Sequence, residues 1–313
     1  MGFRFRPRFR LLPGVRLGVG PGGPSLVLGP RGLAYRVDQR GRHIETAVPG
    51  LPLIFTAHTF EDSSADESLL KTGARQVAKG AEEDAMTTLM KSQDDPAAAF
   101  LVGLLALRQR EFSRAIAYLR FALDHSDQMA ALFQSEGLSP AMELMITPEI
   151  TSAVQPDRRG LLLALTEAYQ EVGRTEEALQ CLDQLHDEAP RDIVGGVSRA
   201  ELLTGLSDPA GWQEVVSLTD GLSCKSKWHA VFLLYRARAL ALLERYDEAI
   251  SALTEGLRPV GPEEPAVTLA LHYDRGRIYQ DREEYEAARA DYQAIYDRFP
   301  DYLDVAQRLG HAP

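Results

Sequence analysis

The chain has little that would support chemistry. Only two of its 313 residues are cysteine, Cys181 and Cys224, and neither has a Cys or His neighbour at ligand spacing. That excludes a disulfide scaffold and a structural zinc site, and it fits a reducing cytoplasm. The longest apolar runs, such as the one around Leu101–Leu107, reach about half of the roughly 20 residues that a spanning helix needs, so no transmembrane segment is expected. No secretory leader is expected either, because the basic start is followed by a Gly/Pro-rich stretch rather than an apolar one. HExxH, GxSxG, P-loop and CxxC patterns are missing, and the seven histidines are scattered. His186 and Cys181 lie off one another's helical face, and His272 falls on a packing position, which suits an interhelix histidine better than a base or ligand. The expectation is a chain that is not an enzyme and needs no cofactor or metal.

Lysine is absent from residues 1–44, which hold nine arginines and a single acid, Asp38. This stretch carries +8, and against a whole-chain charge of −11 the remainder carries −19. A basic head on an acidic body implies an anionic partner for the head, or docking of head on body.

Within that head, Met1–Leu11 alternates strictly. Phe3, Phe5, Phe9 and Leu11 fall on one side of an extended strand, and Arg4, Arg6, Arg8 and Arg10 on the other. Pro7 limits this strand to an edge or a break. Short alternating runs then follow, separated by Pro21-Gly22-Gly23-Pro24, Gly29-Pro30-Arg31-Gly32, Gln39-Arg40-Gly41 and Pro49-Gly50. Turns at such close intervals predict a small antiparallel β-meander over residues 1–56. Gly18-Val19-Gly20-Pro21-Gly22-Gly23 fits GxGxxG, with Asp38 downstream, but Pro21 and Pro24 forbid the helix that a dinucleotide fingerprint requires, so it reads as a turn. The Arg row could hold phosphates of nucleic acid or lipid by bidentate contacts. The aromatics lie on the opposite face, where bases could not stack beside those phosphates, so a solvated or self-docking face is favoured.

The opening Met1-Gly2-Phe3-Arg4-Phe5-Arg6, with Pro13-Gly14-Val15-Arg16-Leu17 and Val48-Pro49-Gly50, resembles a small glycine-rich β-domain of unknown function found at the N-termini of bacterial proteins. The resemblance implies a bacterial cytoplasmic setting and nothing chemical. The chain departs from that family's usual PGTGLSY ending at Pro49-Gly50-Leu51-Pro52-Leu53.

Residues 57–96 read as an acidic linker, Glu61–Ser68, and a connecting helix over Leu69–Ser92, with Asp95-Pro96 opening the next helix.

Internal repetition dominates residues 97–313. Ala99–Ala122, Leu162–Leu185, Leu233–Gly256 and His272–Ile295 superimpose without gaps. They share a small residue in the second helix (Ala115, Ala178, Ala249, Ala288). Four residues later stands an apolar one (Leu119, Leu182, Leu253, Tyr292). Twelve before the alanine stands a small or polar one (Gly103, Thr166, Ala237, Gly276). Each unit is two helices about a short polar turn, with small residues where the helices cross closely. A degenerate unit is expected around Ala200, Leu203, Trp212 and Val216, an atypical helical pair over Ser126–Gln155, and a capping helix over Leu303–Leu309. This gives five or six units in all.

Gly276, Tyr279, Tyr285, Ala288, Tyr292 and Pro300, with Tyr246-Asp247-Glu248-Ala249-Ile250 and with Leu162, Tyr169, Gly173, Ala178, Leu182 and Pro190, resemble the tetratricopeptide repeat (TPR) family. Arg275 departs, since that position is usually Leu or Ile. The resemblance implies a mainly α fold, a TPR-like α-α superhelix behind the small β-meander. It implies a scaffold that holds a protein or peptide partner against its first helices. Carried over by position, that groove contains Glu167, Gln170, Arg238, Tyr273, Arg277 and Gln280. The Lys and Asn pattern of the members that grip a chaperone's terminal carboxylate is absent. Arg238 and Arg277 could pair acidic groups of a peptide, or salt-bridge to neighbours such as Glu244 or Asp281. The head would add a contact, mediate self-association, or bind an anion through Arg4, Arg6, Arg8 and Arg10.

Overall fold

The computed structural model describes residues 68–92, 94–258 and 265–310 with their side chains, together with the backbone of strands between residues 15 and 55. Those strands are β1 (Val15–Gly20), β2 (Gly23–Leu28), β3 (Tyr35–Asp38), β4 (Gly41–His43) and β5 (Leu53–Phe55), of which β1 to β4 pair as antiparallel neighbours. The strand expected over Met1–Leu11, and with it Arg4, Arg6, Arg8 and Arg10, lies outside the described residues.

From residue 69 onward the chain is mainly helical. The pairs are α1 (Leu69–Ala78) with α2 (Glu82–Leu89), α3 (Pro96–Arg108) with α4 (Phe112–Asp124), α6 (Arg158–Glu171) with α7 (Thr175–Glu188), α8 (Ile193–Gly205) with α9 (Pro209–Leu218), α10 (Lys227–Leu242) with α11 (Tyr246–Gly256), and α12 (Pro265–Asp281) with α13 (Tyr285–Tyr296). A short α5 (Ser126–Ser135) follows α4, and α14 (Val305–Arg308) closes the array where a cap was expected. The degenerate unit around Trp212 is the α8–α9 pair, with the Trp212 indole donating to the Leu206 carbonyl at 2.9 Å.

One interlock sets the spacing of the pairs. A Cβ added at Gly73 would meet Leu89 Cγ at 2.4 Å, one at Gly103 would meet Leu119 Cγ at 2.6 Å, and one at Gly276 would meet Tyr292 Cε1 at 2.9 Å. In each case the large side chain of the second helix lies over the bare backbone of the first, and the partners are sixteen residues apart. Thr166 with Leu182 and Ala237 with Leu253 repeat that spacing. The turns share a second device. Gly80, Arg110, Gly173, Glu244 and Glu283 all have φ between 61° and 78°. Each closes its first helix with the same two hydrogen bonds, as Glu244 N to Ala241 O (3.0 Å) and Arg245 N to Leu240 O (2.8 Å) do for α10. This is a Schellman closure with a left-handed residue after the helix. Four helix starts are capped by aspartates. Asp95 accepts from Ala97 N (2.8 Å) beside Pro96, and Asp157, Asp192 and Asp208 act alike.

Stacking joins the pairs into one apolar core from Leu70 to Ile278, and a smaller cluster of Tyr273, Tyr292, Ile295, Tyr302 and Val305 seals the C-terminal end. α3 is buried along almost its whole length, and its Phe100 meets Phe133 of α5 edge-on at 5.8 Å.

Two segments differ from expectation. The single helix over Leu69–Ser92 is two helices, broken at Gly80, and Gly73 and Leu89 give them the interlock of a repeat pair. The helical pair over Ser126–Gln155 is half helix and half hairpin: α5 is followed by β6 (Pro140–Thr147) and β7 (Ile150–Val154), joined at Pro148-Glu149. The physical reason is a period of two. Met142, Leu144 and Ile146 are buried while Ala141, Glu143 and Met145 are half-buried, and the β-branched run of β7 favours extended backbone. Met145, which a helical period would place with Met142 in the core, faces the other way. β5 adds a third antiparallel strand to this sheet, with Leu53 opposite Met142.

Candidate functional site

The first helices of successive pairs form one side of the array, here called the inner face. The α5–β7 insertion loops out between α4 and α6, which still pack on each other, and runs along that face. α5 rests on α3, β7 on α6 and β6 on α8, and the hairpin tip reaches α10.

At the tip a carboxylate meets an arginine. Arg238 Nη2 donates to Glu149 Oε1 at 2.9 Å, and Arg238 Nε donates to Asp274 Oδ2 of α12 at 2.7 Å. The second oxygen of Glu149 accepts from Tyr235 Oη at 3.0 Å and from Thr147 Oγ1 at 2.8 Å. The guanidinium also lies 4.8 Å over the Tyr235 ring. The side chains of Arg238, Glu149 and Asp274 are 14%, 9% and 4% exposed. Burial works against the Arg238 cation, but Asp274 and then Glu149 outweigh it and hold its pKa well above the ordinary arginine value. Burial, reinforced by the Glu149 charge, pushes the Tyr235 hydroxyl well up, so it stays a donor.

A second cluster lies at the C-terminal end of the same face. Arg308 donates to Asp304 Oδ1 (2.8 Å) and to Gln280 Oε1 (2.6 Å), and its guanidinium lies over the rings of Tyr273 and Tyr292 at 5.5 and 5.3 Å. Tyr273 donates to Asp304 at 2.8 Å. Burial is the main reason the Tyr273 hydroxyl is raised and the Tyr292 hydroxyl is pushed up to about 12.

The six side chains expected in the groove therefore have different surroundings. Arg238 and Tyr273 are enclosed in the two clusters, and Arg238 pairs with Glu149 and Asp274 rather than with Glu244. Gln280 is exposed while its carbonyl accepts from Arg308 and from Tyr292. Glu167 and Gln170 on α6 and Arg277 on α12 are half-buried. The fold brings Tyr273 and Gln280 together through Arg308. Arg238 is joined to α12 through Asp274, and Glu167 and Gln170 share α6, away from both clusters. Sequence reasoning missed Glu149, Asp274, Tyr235, Asp304 and Arg308. Asp274 could have been found, since it stands one turn before Arg277, the position equivalent to Arg238 in the next unit. Glu149 had no local signal beyond a Pro-Glu turn between apolar runs.

His272 is an interhelix histidine. Its Nδ1 lies 2.7 Å from Asp291 Oδ1. Cys181 is buried, which pushes its thiol up to about 11 and leaves it unreactive. Among the described residues no His, Cys, Asp or Glu cluster could hold a metal ion, and no helix is long and apolar enough to cross a membrane.

Residues 3–56 match a family model described as "Protein of unknown function (DUF4236)". No curated protein matches the chain. Among solved structures, the chain is similar to the N-terminal domain of the EccA1 ATPase from the ESX-1 secretion system of Mycobacterium tuberculosis, with 15% identity and a TM-score of 0.54, over 77% of this chain and 87% of that one. It is also similar to a thermophilic TPR protein from Thermus thermophilus (16% identity, TM-score 0.42, 69% of this chain and 97% of that one). A tetratricopeptide repeat protein from Parabacteroides merdae gives 15% identity and a TM-score of 0.38, over 78% of this chain and 96% of that one. At such identities the likeness concerns the fold. With the recurring interlock and turn closure, the fold is a mainly α solenoid of stacked helix pairs.

Proposed function

We propose that the array is a non-enzymatic scaffold that holds a protein or peptide segment on its inner face, in a bacterial cytoplasm. One observation carries this reading. α6 is buried over most of its length and α12 over about half of its residues, and toward the C-terminal end each keeps polar side chains that are not buried: Glu167 and Gln170 on the first, Arg277 and Gln280 on the second. Polar side chains along this face offer hydrogen-bonding and charged groups that a bound segment could meet. Stacked helix pairs supply a long rigid surface on which such groups can be read in register. The repeat resemblance and the fold of the solved relatives support the same class of work.

The test is capture of partners from the native host by the tagged full chain, beside a variant with Glu167→Lys, Gln170→Lys, Arg277→Glu and Gln280→Glu. A partner that is retained by the wild type and lost by a variant of unchanged helicity supports the reading. Equal capture by both removes the inner face as the site.

A second reading concerns the head, and the +8 charge of residues 1–44 favours it. Arg4, Arg6, Arg8 and Arg10 would contact phosphates of nucleic acid or membrane. Binding of the full chain to duplex DNA, RNA and anionic vesicles should then fall steeply with salt and vanish on changing these four to Gln. No binding at low salt removes this reading.

A further inference from the structure

The hairpin tip occupies the inner face much as a bound segment would. It comes from outside the repeat pattern, it is a tight turn between two strands, and it places one carboxylate on two donors of a single helix. Tyr235 and Arg238 are three residues apart, hence on one side of α10, and each takes a different oxygen of Glu149 at 3.0 and 2.9 Å. A hydroxyl and a guanidinium on two oxygens recognise the plane of a carboxylate as well as its charge.

We propose that Tyr235 and Arg238 form a carboxylate-reading subsite of the inner face, held in the free protein by the chain's own Glu149, and that a partner presenting an acidic side chain on a turn replaces Glu149 there. This rests on the scaffold reading and names the chemistry of the partner.

Three features allow the exchange. First, Arg238 keeps Asp274 at 2.7 Å when Glu149 leaves, so no buried cation is orphaned. Second, with Glu149 in place the cluster holds two carboxylates against one guanidinium, an excess negative charge in a buried setting, so the tip is held below the strength of an isolated pair. Third, the β6–β7 pairing shifts register between Met145 and Thr147. That irregularity leaves Pro148-Glu149 as a turn at the surface between Thr147 and Ile150, which are buried with Met142, Leu144 and Val154. The Glu149 side chain can turn outward while Thr147, Ile150 and the rest of the hairpin stay.

The probe is a fluorescent synthetic peptide of this chain's residues 143–153, together with its Glu149→Gln counterpart, added to the full-length protein. Substituting Gln for Glu149 in the protein keeps the shape of the tip and removes its charge. The variant should bind the acidic peptide roughly tenfold or more tightly than wild type, the scale of a charge-assisted hydrogen bond. The Gln peptide should bind neither protein. Hydrogen exchange of the wild type provides a measurement that needs no variant: amides at the tip should open well before those of α10. Equal affinity of variant and wild type for the acidic peptide, or tip amides that exchange only with α10, would overturn the proposal. Peptide binding needs no host partner, so failure here is distinguishable from failure of the capture experiment, which concerns the scaffold reading alone.

Discussion

Arg275 and Asp291 face each other where α12 crosses α13, with Arg275 Nε 2.9 Å from one oxygen of the carboxylate and Nη2 2.7 Å from the other. His272 takes part on the same side, and Arg275 Nη1 also reaches Thr254 Oγ1 of α11 at 2.9 Å. The pair accounts for Arg275 standing where the resembled repeats carry Leu or Ile. An apolar contact between helices has been replaced by a buried carboxylate with its own counter-ion, so the two residues must be changed together.

Changing Arg275 to Leu alone leaves Asp291, 4% exposed, with only His272. The expected loss is about 2–3 kcal/mol, below the figure for a fully buried pair because Arg275 keeps some contact with water. The double change to Leu at both positions should recover most of it. Urea unfolding of the two variants measures this, and equal stability of the single and double variants would count against the pairing.

The left-handed turn residues make a second case. Glu244 and Glu283 hold φ near 60° without the freedom of glycine. Replacing either by Gly should stabilise the chain by about 1 kcal/mol, the usual cost of that conformation for an L residue. The reverse change, Gly173→Glu, should cost a similar amount and no more, because nothing lies within 4 Å of the added Cβ. Thermal melts of the three variants test the sign of each.

The interlock predicts an asymmetry between glycines. Gly103→Ala places a methyl 2.6 Å from Leu119 Cγ, so overpacking should outweigh the gain in helix propensity and cost about 1–2 kcal/mol. Adding Leu119→Ala should remove the clash but open a cavity, leaving the double variant no better than Leu119→Ala alone. Denaturant midpoints for the three proteins separate these terms.

Acid should weaken the fold through particular aspartates. Burial pushes the Asp291 and Asp192 carboxyls up, but hydrogen bonds from His272 and Arg275 to the first, and from Arg159 and the α8 amides to the second, hold both below the ordinary carboxylate range. A depressed folded value means that the stabilisation is fully present above about pH 4 and is lost as pH falls through the folded values. The melting temperature should therefore drop between about pH 4 and 2 by less in Asp192→Asn than in wild type. Asn keeps the cap at Val194 and Gly195 but not the charge.

The repeat pairs were legible because packing writes itself locally. Gly103, Ala115 and Leu119, or Gly276, Ala288 and Tyr292, recur at fixed spacing whatever the partner does. Asp95-Pro96 announced α3 for the same reason. The hairpin was not legible, since Met142, Leu144 and Met145 satisfy a helical count as well as a strand count and only burial decides between them. Gly80 gave too weak a signal to split Leu69–Ser92, because a lone glycine is tolerated inside helices. The surroundings of Arg238 were beyond local reading altogether, as its two acids lie 89 and 36 residues away. Type and face of the residue were readable, and its occupancy was not.

The hairpin has a consequence for folding as well. Stacked repeats touch only their neighbours, so their ends can fray one unit at a time. Here Glu149, inserted after the second pair, bonds to the fifth and, through Arg238, to the sixth. Such a distant tie raises the mean loop that must close, which slows folding, and it couples the melting of units that would otherwise loosen independently. The central and C-terminal pairs should thus be lost in one cooperative step.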